Sequence, residues 1–169
     1  MAYPMMALLA LYDSTRNQDY LVGAESAGSL ALTWNCLWDV PFEEGTRLRE
    51  LSFASRGWGG ISILWGTGVV DTYSLWFLPE WERLAVEIDA PVFHDVTQLI
   101  LYGTQQILSL PGNLHGLCEP GMQEEGFACS HQGIDDGLIS KGDTWGSLGW
   151  VFAAGTYGVW NAIHGENKG

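Results

Sequence analysis

Hydrophobic and polar residues alternate along much of the chain, and this alternation predicts β-strands. The central stretch, Arg47–Phe77, predicts three strands joined by two glycine-containing turns, of which Gly66–Gly68 closes the second. Ser29–Trp38 alternates in the same way and places Cys36 on its apolar face. Further short strands are predicted at Pro4–Tyr12, at Tyr20–Val22, and on both sides of a turn at Ala154–Gly155.

Residues 79–110 fit two kinds of structure. Pro79 and Glu80 are placed for a helix start, and Trp81, Leu84, Ala85 and Ile88 follow helical spacing. Because residues 84–88 also alternate, we favour a strand for this segment. In the next segment, Asp95 and Gln98 match a helix capping box, whereas Gly103–Thr104 suits a turn between two strands, and both alternatives stay open.

Taken together, these patterns predict one mainly β domain spanning residues 1–169, an antiparallel β-sandwich of the jelly-roll type. One or two short helices within 79–110 are the alternative to strands there. Residues 1–12 form either the first strand or an N-terminal arm that packs on another surface. Residues 111–144 lack either periodicity and predict a long irregular loop, which in a compact domain usually has a functional or ordering role.

The charge balance excludes one class of partner. The formal net charge is −13, so the phosphates of nucleic acids are disfavoured as ligands. Residues 1–12 are apolar but have no basic region before them, and they are too few for a membrane helix, which needs roughly 20 apolar residues. We therefore expect no signal peptide and no transmembrane segment, and a protein made in the cytoplasm.

The long loop carries a set of residues that can bind metal. His115, Cys118, Cys129 and His131 could supply four ligands for Zn²⁺, which prefers thiolate and imidazole. The spacing at Cys129 and His131 is unusual for a structural zinc site. A Cys118–Cys129 disulfide and unmodified side chains therefore remain alternatives.

A possible contact site lies in the central stretch. Trp58 is flanked by glycines within a turn and follows Arg56, so it is expected to project from a loop tip. An exposed Trp can stack on a sugar ring or anchor a partner protein. The alternative is that Trp58 folds back over the core.

Catalytic motifs do not emerge from the sequence. His94 and Asp95 could belong to a hydrolytic triad, but the chain has no Gly-x-Ser-x-Gly motif to supply the nucleophile. We therefore predict that the protein is not an enzyme.

The function expected from these features is structural. Charged residues make up only 16% of the chain, and nine Trp residues supply large surfaces suited to interfaces. We expect an assembly protein of a virus or phage particle, located in the virion, that binds copies of itself and other shell proteins. The alternative is a carbohydrate-binding β-sandwich module, which could be the receptor-binding part of such a particle.

Overall fold

The protein is mainly helical, and the predicted β-sandwich is wrong. A computed structural model describes residues 2–60, 69–115, 119–128, 142–145 and 149–164. These residues form six α-helices: α1 (Tyr3–Thr15), α2 (Gln18–Leu32), α3 (Arg47–Glu50), α4 (Leu78–Glu87), α5 (Pro91–Thr104) and α6 (Gly149–His164). Two 3₁₀ helices, Tyr73–Phe77 and Gln105–Ile107, lead into α4 and follow α5.

Helices α1 and α2 form a hairpin where two strands were predicted. The Asn17 side chain accepts a hydrogen bond from the Asp19 N–H at 3.0 Å, which caps the start of α2. The buried residues of α1 are Met5, Leu9 and Tyr12, and those of α2 are Leu21, Ala24, Gly28 and Ala31. Both sets follow helical spacing. The alternation in Ser29–Trp38 was misleading because Leu30 and Trp38, which it places on the same apolar face as Cys36, are each 64% exposed.

Helices α4 and α5 occupy the segment in which helix and strand had competed. Pro79 and Pro91 lie in the first turns of the two helices, where a proline's missing N–H costs nothing. Trp81 and Leu84 are buried on α4, and Phe93, Val96 and Ile100 on α5. The helical alternative was therefore right and the preferred strand wrong. The predicted Asp95 cap is also wrong, because α5 already begins at Pro91.

The β-structure of the described residues is small. The strands β1 (Gly59–Gly60), β2 (Val69–Asp71), β3 (Gly126–Ala128) and β4 (Thr144–Trp145) form one antiparallel sheet in that order. Val70 is paired with Phe127 at its centre. Strands of two or three residues cannot build two stacked sheets. Part of the predicted meander, residues 61–68, lies outside the described residues, and its first segment is the short helix α3.

Helix α6 replaces the two strands predicted around Ala154–Gly155. It packs on the 3₁₀ helix Tyr73–Phe77 and on α4. At the closest point, a Cβ added to Gly158 would lie 1.7 Å from the carbonyl oxygen of Leu75. Only a glycine allows this approach of helix to backbone.

Buried apolar side chains form two clusters. The first, here called the helical core, is formed by α1, α2, α4, α5 and the 3₁₀ helix, with Met5, Trp81 and Phe93 among its fully buried members. The second, the sheet core, lies around β2 and β3 and comprises Phe42, Leu48, Phe53, Trp58, Val70, Ile107 and Phe127. Its aromatic rings meet at centroid distances of 5.0–6.1 Å in tilted or edge-on geometry.

Candidate functional site

Trp58 does not project from a loop tip. Its side chain is fully buried in the sheet core, and its indole N–H donates to the carbonyl oxygen of Gly103 at 2.9 Å. Its neighbour Gly57 has a φ of 89°, a left-handed conformation that turns the chain inward toward α5. The predicted exposure of Trp58 is therefore wrong, and the alternative of a Trp folded over the core describes it better.

Arg56 lies at the surface, apart from the Trp58 ring. Its Nε atom is 3.1 Å from the Asp39 carboxylate, and both side chains are about half exposed. The structure thus separates the two residues proposed as one contact site. Arg56 as a partner contact stays a prediction.

One of the four proposed zinc ligands falls within the described residues. His115 has a φ of 50°, and its Nδ1 atom is buried without a hydrogen-bond partner. Cys118, Cys129 and His131 lie outside the described residues. Within the described part of the chain, no group of three or more His, Cys, Asp or Glu could hold a metal ion. The zinc site remains a prediction.

A polar cluster that was missed in the sequence lies beside β3. Arg47, on α3, donates to Glu124 at 3.2 Å and to the hydroxyl of Thr144 at 2.5 Å. It also donates to the carbonyl oxygen of His115 and lies 3.9 Å from Asp143. The Glu124 side chain is only 8% exposed. Arg47 and Glu124 are far apart in sequence, so no local pattern could have paired them.

The neighbouring carboxylate, Glu125, is also buried and held by the protein. The Tyr73 hydroxyl donates to it, and the Tyr73 ring stacks on Trp76 at 5.2 Å. Each of the two consecutive carboxylates therefore receives a hydrogen bond from a different side chain. This arrangement cross-links α3, the 3₁₀ helix and β3, and we assign it a structural role.

The outward side of α1 is an uncharged apolar surface. Tyr3, Met6 and Leu11 are 40–49% exposed, and Ala7 and Ala10 lie exposed between them. We call these five residues the α1 face. No Asp, Glu, Lys or Arg occurs among residues 1–12. A helix that is apolar on nearly all sides is usually buried, so its exposure here indicates a contact surface.

The first charged residue of α1 is Asp13, near the C-terminal end of the helix. The Asp13 carboxylate pairs with Arg83 of α4, with contacts of 2.5 and 2.7 Å. The hydrogen bond from Arg83 holds the pKa of Asp13 below its usual range. This pair fastens α1 to α4 and leaves the α1 face without a charged side chain of its own.

Comparisons with protein-family models, with curated proteins and with solved structures found no match for this chain. Among the helices in the described part of the chain, none combines the length and apolar character needed to cross a membrane.

Proposed function

We propose that this protein is a structural assembly protein that acts through protein–protein contacts made by the α1 face. The observation that carries the proposal is the exposure of Tyr3, Met6 and Leu11 on a helix that has no charged residue before Asp13. An apolar N-terminal segment able to pack on a neighbour was expected from the sequence. The segment is a helix, so the contact would be made by packing side chains and not by adding a strand.

The free energy expected from contact through the α1 face indicates how strongly two proteins would associate there. Burying the exposed part of each large side chain contributes about 1 kcal/mol. Association must also overcome the loss of translational and rotational freedom, which costs several kcal/mol. Contact through the α1 face alone is therefore expected to be weak and concentration-dependent. Such weak contacts suit an assembly in which many copies act together, since linked contacts strengthen one another.

The low charge of the chain supports the same function. Charged residues account for 16% of the sequence, against about 25% in an average soluble domain. The net charge of −13 would make copies repel one another at most surfaces. The α1 face avoids that repulsion. A virus or phage particle as the place of assembly, with shell proteins as further partners, stays part of the proposal.

Light scattering over a range of protein concentrations tests the proposal. We expect the average mass of the wild-type protein to rise with concentration. The variant Ala10→Glu places a charge in the α1 face and should weaken self-association at least tenfold. Val86→Glu is the matched control, because Val86 is an apolar residue on α4 that is 82% exposed and lies outside the α1 face.

Circular dichroism should show the same helix content for both variants and the wild type. A protein that remains monomeric at every concentration, with no affinity for a shell protein, would refute the proposal. Equal loss of association in Ala10→Glu and Val86→Glu would show that charge, and not the α1 face, controls assembly.

Two predicted features that favoured the carbohydrate-binding alternative are contradicted by the structure. It depended on a β-sandwich and on a Trp58 exposed at a loop tip, whereas the fold is mainly helical and Trp58 is buried. No observation on the described residues favours it over assembly.

A further inference from the structure

We propose that Glu80 is a proton-dependent switch between α4 and α1. With its carboxyl group neutral, α1 stays packed along α4, and when the proton is lost, α1 loosens from α4. The inference goes beyond the proposed function, because it concerns the packing of α1 within its own chain and requires no partner at the α1 face. It is carried by the position of Glu80 on α4, by the absence of charge on the adjacent part of α1, and by the burial of one carboxyl oxygen.

Helix α1 is fastened to α4 near both of its ends. The Tyr3 ring packs edge-on against Phe77, the N-cap residue of α4, with ring centroids 5.0 Å apart. Near the other end, the Asp13 carboxylate accepts hydrogen bonds from Arg83. Phe77, Glu80 and Arg83 follow one another at intervals of three residues, and such residues share one side of a helix. Glu80 therefore lies on the side of α4 that faces α1, between the two contacts.

The adjacent part of α1 offers the Glu80 carboxylate no cation. Residues 1–12 contain no Asp, Glu, Lys or Arg, and the next residue, Asp13, is itself acidic. The positive charge of Arg83 acts on Glu80, but the Arg83 guanidinium donates its hydrogen bonds to Asp13 and Glu87. Glu80 thus lacks the kind of partner that Asp13 has.

Within the described part of the chain, the other elements packed on α4 bring no unpaired cation to Glu80. The 3₁₀ helix Tyr73–Phe77 and α6 contain no Asp, Glu, Lys or Arg. On α5, His94 is bound to Glu82. The remaining groups on these elements that titrate below about pH 8 are exposed at the surface: Asp19 and Glu25 of α2, Asp95 of α5 and His164 of α6.

One oxygen of the Glu80 carboxyl group, Oε2, is buried and has no hydrogen-bond partner. Burial without a partner costs much more for a charged carboxylate than for a neutral carboxyl group. It therefore raises the pKa of Glu80 above its ordinary value, although the backbone N–H of Glu80 and the charge of Arg83 act in the opposite direction. The carboxylate regains water only if space opens on the side of α4 that faces α1, so α1 is the element that moves.

The sign of the pH dependence follows from the direction of this change. Because the folded protein favours neutral Glu80, the packing of α1 is fully stabilised below about pH 4.3, the pKa of glutamate in an unfolded chain. That stabilisation is lost as the pH rises through the higher pKa that Glu80 has in the folded protein.

Hydrogen exchange measured by mass spectrometry between about pH 5 and about pH 7.5 tests the switch, with each rate divided by the intrinsic rate at the same pH. We expect the protection factors of α1 amides in the wild type to fall at least about threefold over this range. In Glu80→Gln, whose neutral amide resembles the protonated carboxyl group, they should stay constant. Glu25→Gln is the matched control, because it removes an exposed carboxylate from α2 and should behave as the wild type does.

The comparison isolates Glu80 from the other groups that titrate. The Asp13–Arg83 pair stays charged over this range, and His94 titrates in all three proteins alike. Protection of α1 that does not depend on pH in the wild type would overturn the proposal without any variant. An equal fall in the wild type and in Glu80→Gln would also overturn it.

The position of the change within the molecule provides a second criterion. Protection of α5 should fall less than protection of α1 in the wild type, and an equal fall would show that the whole helical core responds and would refute the switch. If circular dichroism shows that Glu80→Gln has lost helix content, Glu80→Met takes its place, since methionine is neutral and of similar length. Constant protection of α1 is expected in that variant too.

Discussion

At the scale of single residues, Arg47 shows how one side chain can organise several segments. Its guanidinium group reaches Glu124, Thr144 and the backbone of His115, which lie on three separate parts of the chain. Arginine suits this role because its planar fork offers several donors in fixed directions and keeps its charge. The benefit comes mainly from Glu124, whose carboxylate is buried and needs a cation nearby.

Arg47→Met should therefore destabilise the protein clearly. We expect the free energy of unfolding to fall by roughly 2–4 kcal/mol, because Glu124 would remain buried without its charged partner. Arg56→Met is the matched control. Its pair with Asp39 is about half exposed, so we expect a loss of about 0–1 kcal/mol. Urea unfolding measures both values, and similar losses for the two variants would show that burial of the pair is not decisive.

At the scale of elements, the sheet core joins the helical core at a contact between main chains. A Cβ added to Gly103 of α5 would lie 2.0 Å from the carbonyl oxygen of Arg56, and one added to Gly57 would lie 2.3 Å from that of Leu99. We call this contact the glycine seam. The Trp58 indole bonds to Gly103 at the same place, so the seam also fixes the largest side chain of the sheet core.

Gly103→Ala should open the seam. Although alanine favours a helix over glycine by about 1 kcal/mol, the contact at 2.0 Å cannot be relieved by a flexible side chain. We expect a net loss of at least about 2 kcal/mol, seen as a lower midpoint of thermal unfolding. Gly23→Ala, within α2, is the control. There the nearest atom is the Leu8 Cδ1 at 3.3 Å, which can move, so its midpoint should be unchanged or higher. A fall of equal size in both variants would contradict this account.

Elements also show what the sequence could predict. Pro79, Glu80 and the spacing of Trp81 and Leu84 are local signals, and they correctly indicated the helix α4 as an alternative. The strand predicted over Ser29–Trp38 failed because its first four residues are the end of α2 and the other six form turns and irregular backbone, so the alternation arose by chance. The helical pattern of α2 depended on the small residues Ala24, Gly28 and Ala31, whose burial is decided by packing against other helices.

At the scale of the whole molecule, ion pairs connect the helices around α4. Arg83 joins α4 to Asp13 of α1, and Glu82 joins it to His94 of α5 at 2.9 Å. The hydrogen bond that the His94 ring donates to Glu82 raises the pKa of His94 above its ordinary value, and the one that Arg83 donates to Asp13 lowers the pKa of Asp13. Contacts such as these, and that between Arg47 and Glu124, join residues distant in sequence. The sequence could not predict these contacts, whereas it does show that residues 1–12 carry no charged side chain.

Stability should consequently fall toward both extremes of pH. The His94–Glu82 pair contributes its full stabilisation at pH values below about 6.5, the pKa of histidine in the unfolded chain. That stabilisation is lost as the pH rises through the higher pKa that His94 has in the folded protein. The Asp13–Arg83 pair contributes its full stabilisation at pH values above about 3.9, the pKa of aspartate in the unfolded chain. That stabilisation is lost as the pH falls through the lower pKa that Asp13 has in the folded protein. Thermal unfolding measured against pH should show that His94→Gln removes part of the alkaline loss.

We expect the loss of either pair to change the midpoint of thermal unfolding by only about 1–2 °C. His94 and Asp13 are both substantially exposed, and solvent weakens their pairs. Arg83→Gln should in turn remove part of the acid loss while leaving the alkaline side as in the wild type. An alkaline loss that is identical in the wild type and in His94→Gln would refute the role given to the His94–Glu82 pair.

The glycine seam has a consequence for how this sequence can diverge. Because main-chain atoms make the contact, the side chains around it can change during evolution. Gly57 and Gly103, in contrast, cannot acquire a Cβ without separating the two cores. Gly112 and Gly121 differ, since a Cβ at either would meet nothing within 4 Å, and asparagine can adopt their left-handed backbone. In lineages that share this fold, we expect the two seam positions to stay glycine together, whereas the two loop glycines, whose φ of 88° strains most side chains, are exchanged mainly for asparagine.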